Sequence, residues 1–169
     1  MKKDFKIAKQ EMKEKCAPYQ TYQIYIGIPI YGVAVYVLSF LNVTLGNTGI
    51  LILIITILGN KGASKLTLLS KRKYVAPILM YITNALVILF VIPIIIEISN
   101  GGTGDIVLGL ANLIALPVQI VAFIFFFITA NDIKKAYPDM KQVSTEARQE
   151  YLALKREAKI DWFILSSFC

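Results

Sequence analysis

The chain has 169 residues, 56% of them hydrophobic, with 18 Lys and Arg against 11 Asp and Glu and a formal net charge of +7. That length allows one domain at most, and a mean hydropathy of +0.62 excludes a soluble domain, whose single small core would leave large apolar patches in water. Nucleic acid is excluded as the partner by where the charge lies, since every cation flanks an apolar run.

Residues 1–20 hold six cations and three acids. Lysines alternate there with Phe5, Ala8 and Met12 at helical spacing. The pattern predicts a short basic amphipathic helix in the cytoplasm, stopped by Pro18, whose lysines set topology or rest on anionic lipid. Four apolar runs follow, at about 21–41, 48–68, 74–97 and 105–130. Each supplies roughly the 20 residues that cross a hydrocarbon core. The second is the shortest, with an uncharged stretch of only Thr48 to Asn60. It needs Gly62–Leu69 to finish it, with Lys61 and Lys65 snorkelling to the interface, and a re-entrant segment is the rival.

The connections Asn42–Asn47 and Ser99–Gly104 are short, turn-forming and free of Lys and Arg. All eighteen cations fall in residues 1–20, 61–73 and 131–169. Cations near span ends stay cytoplasmic, so both termini are expected inside. The expected fold is therefore an all-α integral membrane protein of four transmembrane helices in two hairpins. A short N-terminal and a longer C-terminal cytoplasmic amphipathic helix complete it, and the four spans form one domain over 21–130. No small-residue cleavage site accompanies the first span, which is expected to be a retained anchor.

Residues 131–169 carry seven basic and six acidic groups, close to balance. Ser144 is the expected N-cap of a helix whose apolar stripe runs Ala147, Tyr151, Leu154, Ala158, Trp162. With so little net charge, that helix is expected to dock on protein, its own bundle or a partner, through 144–169. The middle loop opposes its five cations with no acid. Lys61, Lys65, Lys71, Arg72 and Lys73, together with Tyr151 and Trp162, are the candidates for contact with lipid or a partner.

Chemistry is scarce. There is no histidine, which removes the commonest general base and most zinc sites. Cys16 and Cys169 both face the reducing side, so no disulfide is expected; Cys16 is either an incidental thiol or an acylation site. Glu97 and Asp105 are expected on the wet outer rim, without the shielding a paired-acid mechanism needs. No catalytic residue, metal or cofactor is assigned.

Polar groups inside the spans remain. Tyr22, Tyr25, Pro29, Gly32, Tyr36 and Ser39 share one face of the first helix, leaving Ile24, Ile28, Val35 and Leu38 for lipid. Pro77, Tyr81 and Asn84 share a face of the third; Asp105, Gly109, Asn112, Leu116 and Gln119 share one of the fourth. Amides in hydrocarbon need partners, so these stripes should face the bundle interior, where Asn84 and Gln119 could meet. Ala111 and Ala115 permit close helix approach.

The expected function is interaction: a non-enzymatic accessory subunit, regulator or immunity-type protein of a membrane system, in a bacterial cell membrane. In architecture alone the layout resembles small membrane immunity proteins that guard against membrane-active toxins. The alternative is a small oligomeric transporter or channel for an uncharged or small solute, with homo-oligomerisation supplying the pore that one four-helix bundle lacks.

Overall fold

The structure, a computed structural model, describes residues 2–41, 43 and 48–167, and side chains within 5–156 of that range. The expected turn at 42–47, apart from Val43, and the side chain of Trp162 lie outside the described residues, as does Cys169. The described chain is helical without strands: α1 Lys2–Phe40, α2 Thr48–Ala63, a 3-10 turn Lys71–Tyr74, α3 Val75–Ser99, α4 Asp105–Ala136 and α5 Met140–Ser167. Three of these segments, through α1, α3 and α4, are long and apolar enough to cross a membrane, and α2 is a shorter apolar helix.

Pro18 does not end the first helix. Both Pro18 and Pro29 sit inside one helix of 39 residues, about 58 Å long at 1.5 Å per residue. A proline removes one N–H but fixes a φ that suits a helix, and packing can outweigh the lost bond. Here packing exists on both sides of Pro18. Before it, α1 lies against α5; after it, α1 lies against α2 and α4.

The second apolar helix also ends earlier than its sequence suggests. It stops at Ala63 after 16 residues, roughly 24 Å, and does not continue to Leu68. Residues 64–70 form turns that lead into the 3-10 turn. The lysine at 73 holds this connection: its ammonium donates to the carbonyl of Leu66. Leu66 itself is buried in the core. So Lys65 to Leu69 turn back across the bundle end, which no periodicity in the sequence announces.

Neighbouring helices pack in the cyclic order α1, α2, α3, α4, with α3 against α4 the most extensive pair. The core is concentrated at the end of the bundle near Lys73, around Tyr25, Ile28, Met80, Phe126 and Ile133. Ile28, expected to face lipid, is fully buried there. Tyr25 and Phe126 meet edge to face, with ring centroids 5.0 Å apart, a favoured aromatic geometry.

Three glycines set the helix spacing. A Cβ on Gly62 would come within 2.3 Å of Thr21 Oγ1, and one on Gly32 within 2.2 Å of Phe123 Cζ. Gly59 lies similarly against Ile24 and Tyr25. At the other end, Gly101 and Gly104 take φ of +86° and +78° in the α3–α4 connection, a backbone region that favours glycine.

These contacts fix relative heights. Gly32 faces Phe123 and Tyr36 faces Gln119, so a step of four along α1 matches a step of four back along α4. The same pairing extended sets Phe40 opposite Ala115. Residues 105–114 of α4 therefore rise about 15 Å beyond the end of α1. In that region α4 pairs with α3: Gly104 touches Ile94 and Ile98, and buried Ala111 and Ala115 follow on the same face.

Candidate functional site

Two groupings concern function, a polar seam within the bundle and a charged surface at the end where α1 meets α5. Side-chain chemistry within the seam is spent locally. Thr21, Thr56 and Thr83 donate to the carbonyls four residues earlier at 2.8, 2.8 and 3.0 Å. Asn84 does likewise, to Met80 at 2.8 Å. Asn84 therefore does not meet Gln119. The Gln119 carbonyl oxygen instead accepts from the Tyr36 hydroxyl at 2.7 Å, across the α1–α4 contact. Tyr25, wholly buried, donates to the backbone carbonyl of Lys73 at 2.7 Å. That bond ties the middle of α1 to the start of α3.

Asn112 departs from the expected inward stripe. Asp105, Asn112 and Gln119 are spaced by seven and share the face of α4 that looks towards α1. Because α1 ends opposite Ala115, only Gln119 of the three finds it. Asn112 and Asp105 are exposed. Glu97 also departs from expectation. It is half-buried with its Oε2 shielded and without a hydrogen-bond partner, beneath the glycine connection, where Gly102 donates to the Glu97 carbonyl at 2.9 Å.

The Tyr36–Gln119 bond is expected to act as one unit of stability. Tyr36→Phe and Gln119→Leu should each destabilise the bundle by about 1 kcal/mol, and the double variant by no more than the worse single one. Denaturant unfolding in detergent micelles checks this, and additive losses would show that the two side chains act separately.

At the other end the middle-loop cations divide. Lys61, Lys65, Lys71 and Arg72 are exposed, and the Arg72 guanidinium lies 5.6 Å from the ring centre of Phe125, a cation–π arrangement. Lys73 is not available to lipid or a partner. It is buried, bonded to Leu66, with its ammonium 5.3 Å from the ring centre of Tyr74. Desolvating an ammonium demands such compensation.

The N-terminal half of α1 and α5 form an antiparallel pair. Cys16 Sγ contacts the Ser144 carbonyl at 3.6 Å, Lys15 pairs with Glu150 at 3.4 Å, and Phe5 packs on Tyr151 with ring centres 5.2 Å apart. Partly buried Ala8 and Met12 turn to α5 rather than to lipid. The ion pair is solvent-exposed and adds little; apolar contact carries the pairing. Cys16 is fully buried, which closes it to acylation. Ser144 is buried within α5 rather than capping it, since the helix starts at Met140 and the first turn bonds back from Val143 to the Asp139 carbonyl at 3.0 Å. Pro138 and Asp139 were the legible start signal.

Among the described residues no three His, Cys, Asp or Glu side chains gather as a metal site would require. No family model matches the chain, and no curated protein or solved structure shows significant similarity to it.

Proposed function

We propose that the chain is a four-span bacterial cell-membrane protein, both ends cytoplasmic, that works by interaction and not by catalysis, as an accessory subunit, regulator or immunity-type protein. The α1–α5 pair supports the span count. Helix ends that pack together must lie on one side of the bilayer, which requires an even number of crossings. Three crossings with α2 re-entrant would put α5 opposite the start of α1. At roughly 24 Å, α2 falls short of a core of about 30 Å, a mismatch met by local thinning and by the snorkelling lysines at its end. The distribution of Lys and Arg then puts both ends inside.

The observation that carries the interaction reading is the polar seam. Thr21, Tyr36, Thr56, Thr83, Asn84 and Gln119 bond within or between their own helices, and Tyr25 to the turn before α3, which supports packing work over the lining of a solute path. The partner surface we assign is the cytoplasmic pair, whose outward face presents Arg148, Gln149, Leu152, Lys155 and Arg156. Ending the chain before Met140 is expected to abolish co-purification of the partner from gently solubilised native membranes while the bundle stays helical by circular dichroism. A chain that purifies alone with or without α5, and that carries a small solute into liposomes, would replace this reading by the transporter.

A further inference from the structure

We infer that the crevice between the N-terminal half of α1 and the segment after α2 binds the phosphate of an anionic lipid headgroup. The crevice is lined by Lys6, Gln10, Lys13, Glu14 and Lys65, with a volume of about 430 Å³. Lys6, Gln10, Lys13 and Glu14 follow one face of α1 by helical spacing, and Lys65 closes the crevice from the other side, two residues past the end of α2. Three ammonium groups face one carboxylate, and that carboxylate is occupied: Gln10 Nε2 donates to Glu14 Oε1 at 3.2 Å. Among the described residues none of the three lysines forms an ion pair. The crevice thus offers several donors and a net positive field, three ammonium groups against the one Glu14 carboxylate, the arrangement that recognises phosphate oxygens.

Its height selects a lipid. Gly62 packs on Thr21, where the apolar run of α1 begins, so Lys65 stands at the apolar boundary. Lys13 lies eight residues before Thr21, about 12 Å further out. Lys6 lies fifteen residues before Thr21, about 22 Å out. The crevice therefore runs from the apolar boundary through the headgroup layer, about 5–8 Å deep, and on into the water beyond it. This placement rests on the proposed membrane orientation, whereas the donor set does not.

The test uses the full chain in uncharged detergent, titrated with phosphatidylglycerol or phosphatidylcholine and read by native mass spectrometry. Phosphatidylglycerol should be retained preferentially. The Lys6→Gln/Lys13→Gln/Lys65→Gln variant should lose about a hundredfold in apparent affinity, at roughly fivefold per ammonium. Lys134→Gln/Lys135→Gln/Lys141→Gln, exposed lysines outside the crevice, should lose less than tenfold. Should the first triple variant fail to fold, Lys6→Gln/Lys13→Gln alone, on the exposed face of α1, should lose about 25-fold. Equal losses in both triple variants, or no preference between the two lipids, would overturn the site. Tight binding of inorganic pyrophosphate without lipid preference would overturn the lipid source. Partner retention in the crevice variant separates failure here from failure of the interaction reading.

Discussion

Gly32→Leu is expected to destabilise the bundle by about 3 kcal/mol or more, the upper range for overpacking a tight contact. The site has no slack: even a Cβ would lie 2.2 Å from Phe123 Cζ, well inside any van der Waals contact. The Phe123 ring is buried, and moving it away would open the next turn, where Tyr36 meets Gln119. A leucine must therefore push α1 and α4 apart along the seam. Phe123→Ala makes the space, so Gly32→Leu/Phe123→Ala should recover part of the loss, a coupling of about 1–3 kcal/mol between touching positions. Unfolding in detergent micelles reads both. A Gly32→Leu variant as stable as the parent would mean that α1 and α4 do not approach as closely as described.

Tyr25 gives the second large effect, and it should be graded. Tyr25→Phe keeps the ring against Phe126 and removes only the hydroxyl, leaving the Lys73 carbonyl without its donor at 2.7 Å. The expected cost is about 1–3 kcal/mol, the penalty of a buried group left unpaired. Tyr25→Ala removes the ring as well, from a site of 0% exposure, and should cost about 3–5 kcal/mol. Because the hydroxyl anchors the segment entering α3, both variants should also speed proteolysis of the connection at 64–70. If Tyr25→Phe matched the parent in stability and in protease resistance, the hydroxyl would have no anchoring role.

Particular residues show how far the sequence reached. The α3 segment and the start of α4 are legible to within two residues, because long apolar runs bounded by glycine and charge admit few other structures in so hydrophobic a chain. The end of α4 is not: the helix runs six residues past the expected end at 130, to Ala136. Tyr25, Pro29 and Gly32 were placed on an inward face from spacing alone, and they are buried. The same spacing failed for Ile28, which is also buried, because α1 is covered by α2 and α4 from two directions and not by a single neighbour. It failed for Asn112 for the opposite reason: no helix of α1 extends to its height. Lys73 was assigned to the surface with its four basic neighbours, and only the folded connection shows its ammonium bonded to Leu66. The sequence reads Lys6 and Lys13 as charges that set topology or rest on anionic lipid, and nothing local links them to Lys65.

The sequence by itself determined that the chain is helical and apolar enough for a membrane, and that its cations gather in three stretches between the apolar runs, because hydropathy and charge are local properties of each segment. It also excluded histidine chemistry outright. Tertiary structure decided that Pro18 lies within a continuous helix, that α2 stops at Ala63, that the two hairpins differ in height, and that α5 returns to lie along the start of α1. Each of these depends on a contact between segments far apart in sequence, Cys16 with Ser144 or Gly32 with Phe123, whose energy outweighs the local signal of a proline, a lysine or an apolar run and leaves no periodicity in the chain to announce it.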